Sequence, residues 1–226
     1  QWDENILTDI QSRDVVRLVV KDRIPYVFWT SGNEKILQAA YLKDDSWQKL
    51  ASTIGTDIHG FDIFCGDNTL YAVGATTNGI ASVKTMKTVE GGSGSFDVEF
   101  PVLSADSYWL PKGESINGFS SPAITGDTTG NSLYLAGIVN ENGKNLLKIY
   151  SLETSDSSWK VMQAAADVDR GSQVDILSVA GKVYVAYTDA SGYLCVLQVS
   201  AENVQPIYRS QTARSLAKME LLYEQN

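Results

Sequence analysis

One histidine, two cysteines and no basic run mark a chain of 226 residues. Each scarcity closes a route. An imidazole-dependent nucleophilic triad has to use His59, in the stretch TDIHGF. No GxSxG elbow accompanies it, and no Ser or Cys stands out as its partner. His59 therefore reads as a loop residue open to ligand contact. The Lys and Arg residues are dispersed and the formal net charge is −9. Phosphate binding needs a basic stripe, so nucleic acid is excluded as a partner. The acidity reads as solubility, with cation binding as the alternative. No stretch approaches 18 consecutive apolar residues, so no membrane span is expected. Cys65 and Cys195 sit in apolar runs with no His or Cys nearby, which argues against zinc. Two buried thiols are expected, and a disulfide between them stays open. The chain starts at Gln1 without a basic-then-apolar leader, as a mature secreted chain or a cut segment does. Helical patterning is also nearly absent. Only TARSLAKMELL offers any, and the repeat described next assigns it to strand.

What the sequence has is repetition. At 43% apolar and 20% charged residues, it is the composition of a globular domain with a sizeable core. Four segments carry the same order of features, at approximately 15–51, 61–103, 122–163 and 174–210. Each opens on a first run: VVRLVV, FDIFC, PAITG and VDILSV. A second run follows and carries a tyrosine in every copy: Tyr26, Tyr71, Tyr134 and Tyr184. A polar turn and a third run come next. Fourth runs are read in DDSWQKLAS, SFDVEFPVL, DSSWKVM and NVQPIYRS. The breaks are turn chemistry: KDR, GDN, TTGN and AGK, then SGNE, TTNG, NENG and DASG. Four antiparallel strands per repeat of this length predict the blades of a β-propeller. One small sheet cannot bury both of its faces, whereas blades packed radially bury them for each other. A β-sandwich also supplies many short strands, but not four copies in register.

The ends fit the same frame. QWDENIL matches the fourth runs, and MELLYEQN matches the first run FDIFCGDN. Two arrangements are open: a segment of a larger propeller of roughly six to eight blades, or a compact closure with irregular ends. An open propeller edge exposes unpaired backbone and apolar faces, so a segment is expected to self-associate or to take a complementing chain.

The stretches PYVFWTSGNEKILQAAYLKDDSW and LYLAGIVNENGKNLLKIYSLETSDSSW pair two inner strands with a polar turn and a Trp-bearing outer strand. In this the chain resembles β-propellers of extracellular bacterial proteins and of sugar-binding lectins. The resemblance covers nearly the whole chain. There is no GH…WD signature, which sets it apart from WD40 repeats. DDSW and DSSW resemble degenerate sialidase Asp-boxes without their Gly and Thr, so the sialidase function is not carried over. The resemblance implies an extracellular or cell-surface location. It also implies a ligand site on the face where fourth-to-first and second-to-third connections gather.

On that face three features stand out. ADSYWLPKGESINGFSS, residues 105–121, is longer than its counterparts and carries Tyr108, Trp109 and Phe119. Long loops in compact domains are often functional. Aromatic faces beside polar groups suit a sugar, whereas a Trp can equally fill space between blades. Second, the second position of the first strands reads Arg17, Asp62, Ala123, Asp175 and Glu220. Alternation puts these on a common side near the rim of the channel, where they hold a cation or a polar ligand or stand solvated. Third, His59 lies in a loop of the same face. The turns GDTTGN and NENGKN are rich in oxygen but do not match a DxDxDG calcium loop. Calcium is the one cofactor they leave open. The reading that results is an all-β propeller acting as a non-catalytic binding module for a glycan or a protein surface. Its contacts are Trp109, Tyr108, His59, Arg17, Asp62 and Asp175. The alternatives are a sialidase-like glycoside hydrolase, which needs only two carboxyls, and a structural assembly piece.

Overall fold

The computed structural model describes residues 15–66, 69–87, 108–127, 131–168, 171–200, 203–213 and 220–222. They form sixteen strands in four separate four-stranded antiparallel sheets. The first sheet holds β1 (Val16–Lys21), β2 (Ile24–Ser31), β3 (Ile36–Lys43) and β4 (Ser46–Lys49). The second holds β5 (Ile58–Cys65), β6 (Leu70–Thr76), β7 (Ala81–Lys87) and β8 (Tyr108–Pro111). The third holds β9 (Phe119–Gly126), β10 (Ser132–Glu141), β11 (Lys144–Glu153) and β12 (Lys160–Asp167). The fourth holds β13 (Val174–Val179), β14 (Lys182–Thr188), β15 (Leu194–Val199) and β16 (Val204–Arg209). Strand order in every sheet is sequence order, and the first strands pack in the series β1, β5, β9, β13. These are blades of a β-propeller. Among the described residues no helix is long and apolar enough to cross a membrane.

Local chemistry explains the hairpins. Asp22–Arg23, Asp44–Asp45, Asn142–Gly143 and Ala180–Gly181 all have both residues at positive φ. Each joins strands paired up to the turn: Lys21 with Ile24, Lys43 with Ser46, Glu141 with Lys144, Val179 with Lys182. That is the type I′ geometry, whose twist matches the flanking strands. NENGKN is one of these hairpins, closed further by Asn140 Nδ2 donating to Asn145 Oδ1 at 2.9 Å. Of GDTTGN, residues 128–130 lie outside the described residues.

Alternation then divides each sheet into two faces. On one face of the first sheet, Tyr26, Phe28, Leu37, Ala39 and Tyr41 meet Phe61, Ile63, Leu70 and Ala72 of the second. The second sheet turns Tyr71, Val73 and Val83 against Ile124, Leu133 and Leu135 of the third. The third turns Ala136, Ile138, Leu147 and Ile149 against Ile176, Val185 and Leu197 of the fourth. The tyrosine column follows from this: Tyr26, Tyr71 and Tyr134 each join the cluster shared with the following sheet. Packing is close enough to dictate glycine. A Cβ on Gly137 would stand 2.2 Å from Phe119 Cε1, so the fully buried Phe119 ring exists only because position 137 has no side chain.

Several expectations change, among them that of a loop at His59, which lies in β5 where the register on β6 shifts. The stretch read as a long loop contains β8 and the start of β9. SFDVEFPVL, read as the fourth strand of the second repeat, lies outside the described residues. Trp109 pairs with Met86 across β7 and β8 and is 7% exposed. Its ring meets Phe28 of the first sheet edge-on, with centroids 6.0 Å apart. A large apolar surface of this kind gains more from the wedge between two sheets than from a solvated loop. Cys65 and Cys195 lie in separate sheets and form no disulfide; Cys195 is buried as expected, but Cys65 is only half-buried.

Trp109→Ala is expected to cost about 3–5 kcal/mol of stability, the range for emptying a large aromatic site. Trp109→Phe should keep most of that, because the buried Trp109 Nε1 has no hydrogen-bond partner to lose. Urea unfolding of both variants checks it; equal losses would place the indole's role elsewhere.

Candidate functional site: the mouth of the channel

Backbone hydrogen bonds gather the connections on one face. Asp57 N–H donates to Glu34 O at 2.8 Å and Ile58 N–H to Lys35 O at 3.0 Å. The same segment accepts from Thr77 N–H, through Asp57 O, at 3.2 Å. Phe119 N–H donates to Gly79 O at 2.7 Å, and Asn140 N–H to Gly118 O at 3.1 Å. The β4–β5 and β8–β9 connections are thus each tied to the second-to-third hairpins on both sides. Asp57 adds a side-chain tie, its carboxylate accepting from Thr77 N–H and Thr77 Oγ1. His59 Nε2 stands 3.6 Å from Asp57 Oδ1, with both side chains exposed.

At the centre of this face the four first strands begin around a cavity of about 300 Å³. The residue just before the strand's first aligned position comes from each sheet in turn: Val15, Gly60, Ser121 and Gln173. Arg17, His59, Thr76 and Ser120 add polar groups, and Phe61, Phe119 and Pro122 add apolar wall. The wall is rigid. Ser121 is held at φ 49, in the left-handed region that non-glycine residues seldom adopt. The register of β9 on β10 shifts beside it. Arg17 brings a guanidinium and His59 an imidazole to the lining.

Deeper in the channel a second cavity, of about 410 Å³, is lined by β5, β9, β13 and Glu220–Leu221. Asp62 and Asp175 stand here, and both reach across to the next strand. Asp62 Oδ2 accepts the Ile124 N–H at 2.9 Å. Asp175 Oδ2 accepts the Leu221 N–H. In the repeat alignment Ile124 and Leu221 occupy the same position, the third of a first strand. The two acids are therefore copies of one brace. Arg17 Nε lies 3.6 Å from Asp62 Oδ1. In the third sheet the position-two residue is Ala123, and Thr125 Oγ1 takes over by accepting the Ser178 N–H at 3.3 Å. Burial pushes the Asp62 carboxyl up to about 6, against the Ile124 and Ile63 N–H groups and Arg17, with the Asp175 charge adding to the rise. Burial likewise raises Asp175, opposed by the Leu221 and Ile176 N–H groups, with Glu220 adding to the rise.

The structure thus brings Arg17 and His59 to the mouth and sets Asp62 and Asp175 below it as inter-sheet braces. Trp109 is not brought to either cavity; it lies with Tyr108 on β8, the outermost strand of the second sheet. Ser120, Ser121 and Gln173 are lining residues that sequence reasoning missed. For Ser121 and Gln173 the signal was present two columns before the one that was aligned.

No family model matches the chain, and no curated protein matches it. Solved structures do. A lectin of Aleuria aurantia, in complex with Fucα1-6GlcNAc, superposes at TM-score 0.58 and 9% identity over 92% of this chain and 66% of that one. A sialidase of Trypanosoma rangeli, in complex with the inhibitor DANA, superposes at 0.53 and 11% over 85% of this chain and 37% of that one. A Lactobacillus plantarum protein superposes at 0.53 and 8%, over 88% and 56%. The chain therefore spans between about a third and two thirds of these neighbours' lengths. At such identities the likeness is one of fold, the β-propeller.

The Asp62 environment sets a pH dependence. An acid whose pKa rises on folding binds more protons folded than unfolded between its two values. Its contribution is therefore present below the unfolded value, near 4, and is lost as pH rises through the folded value, about 6. Asp62→Asn keeps an acceptor for the Ile124 N–H and should flatten the fall in stability across that window, leaving the part due to Asp175. Urea midpoints measured from acid to neutral pH check this. An unaltered slope in Asp62→Asn would assign the titration to another group.

Proposed function

We propose that this chain is a non-catalytic binding module of a secreted or cell-surface protein, and that its ligand is a glycan held in the mouth of the channel. The observation that carries the reading is the composition of the mouth. Hydroxyl, amide, guanidinium and imidazole groups from Ser120, Ser121, Gln173, Arg17 and His59 stand beside the apolar side chains of Val15 and Val174. Sugars present hydroxyls around an apolar C–H surface, and this mixture matches both. The volume, about 300 Å³, is at the small end of ligand pockets and suits one or two sugar rings. The propeller neighbours that carry a fucosylated disaccharide and a sialidase inhibitor add weight to a sugar over other ligands.

A sialidase-like glycoside hydrolase is the second reading, favoured by one observation. Asp62 and Asp175 line the same cavity with raised pKa values, and glycoside hydrolysis uses paired carboxyls in unlike protonation states. Against it, both acids already serve as acceptors of backbone N–H groups between sheets.

A glycan array followed by titration calorimetry tests the proposal. Gln173→Ala and His59→Ala should each weaken binding by about tenfold, the loss of roughly one hydrogen bond to a ligand, without lowering the melting temperature. Turnover of fluorogenic glycosides that disappears in Asp62→Asn would replace the binding reading with the hydrolase one. Binding that survives both mouth substitutions would move the site elsewhere.

A further inference from the structure

Every first strand sorts its residues by parity. Positions two and four face the following sheet: Asp62 and Phe64 in β5, Ala123 and Thr125 in β9. Positions one, three and five face the preceding sheet. In β5 these are Phe61, Ile63 and Cys65, of which Phe61 is 4% and Ile63 8% exposed, and all pack in the cluster shared with the first sheet. In β9 and β13 the central members are Ile124 and Ile176, both buried against the sheet before. In β1 the same row reads Val16, Leu18 and Val20, at 41%, 64% and 59% exposed. Three β-branched or leucine side chains in contact register, all open, form an apolar surface of the kind that marks an interface. The outer part of that face is not open: Val27, Trp29 and Ala40 are buried beside Trp47. The vacancy is confined to the innermost strand.

The complementary surface lies at the other end of the series. The fourth sheet presents Leu177, Tyr184, Ala186, Val196 and Tyr208 on the face opposite the third sheet, as the pairings of Leu177 with Tyr184 and of Val196 with Ala186 and Tyr208 establish. Tyr184 is the repeat equivalent of Tyr26, Tyr71 and Tyr134, each of which joins the cluster shared with a following sheet. Tyr208 is 52% exposed.

We propose that the open row of β1 docks on this outward face of the fourth sheet in a second copy of the chain. The argument is continuity: the contact repeats, with the same positions on both sides, the three interfaces between sheets already formed within the chain. A second copy is the partner that necessarily carries both halves. Within one chain Glu220–Leu222 lies at the place beside β13 where a following first strand belongs, with Leu221 N–H on Asp175. The incoming β1 takes that place, and its Leu18 N–H, in the register of Leu221 and Ile124, takes over the carboxylate. The contact joins two different surfaces, so it is heterologous and propagates head to tail until a ring closes.

Sedimentation velocity over a concentration series tests this, because the two surfaces can be damaged separately. Leu18→Asp and Tyr184→Asp replace side chains on the two docking faces, and circular dichroism checks that both variants keep the fold. The wild-type chain should shift from monomer to dimer or larger species as concentration rises. Each variant alone should stay monomeric. An equimolar mixture of the two should form a dimer and stop there, since one undamaged surface of each kind remains. A wild-type chain that stays monomeric overturns the proposal. So does association that survives both substitutions, or a mixture that fails to pair.

Discussion

Everything in this molecule depends on the two-residue period of its innermost strands. A strand at the centre of a propeller has a neighbouring sheet on each side, so both of its faces need partners. In β5 the odd positions sink into the cluster with the first sheet, and the even positions turn to the third. A one-residue slip would exchange the two sets. Asp62 would then face Tyr26 and Phe28, and Ile63 would be lost from its cluster. The type I′ hairpins hold the register by fixing where each strand turns.

Polar groups placed on such a strand must then be paid for by hydrogen bonds across the gap. Asp62 and Asp175 meet this need with a backbone N–H from the next strand. The cost is visible in the raised pKa of both. A buried acceptor left unpaired costs about 1–3 kcal/mol, so the brace also orients neighbouring sheets: a rotation that broke it would leave a carboxylate without its partner. Arg17 offsets one of these charges, which explains why the cation of the position-two column faces an acid of the next sheet.

The repeat was legible in the sequence because first and second strands combine strong apolar alternation with turn residues at both ends. The fourth strands were less so. SWQK and YWLP are four residues long and lie at the outer edge of their sheets, where alternation is weak and one aromatic carries the burial. Trp109 was visible as a large aromatic, but a sequence does not say whether such a ring faces a ligand or Phe28. The position-two column was found because its charges are conspicuous. Its role was not, because the partner of each acid is a backbone N–H distant in sequence, and every residue offers one. Gly60, Ser121 and Gln173 were passed over because small polar residues ahead of a strand look like turn chemistry.

That oversight points to a division of labour along each first strand. Positions one to five are committed to the sheets on either side, by packing or by bracing, and a substitution there is felt as stability. The residue just before them lines the mouth: Val15 and Gln173 precede their strands, whereas Gly60 and Ser121 still lie within β5 and β9. Valine, glycine, serine and glutamine occupy that one column in the four sheets. Their chemistry varies while the columns behind them stay apolar or braced. Recognition placed at Val15 and Gln173 can change without disturbing the packing, because the strands that position them are fixed by the residues that follow; at Gly60 a Cβ would stand 3.1 Å from Pro122 Cδ of the next sheet. The mouth is therefore where a propeller of this build can acquire specificity at the least cost to its fold.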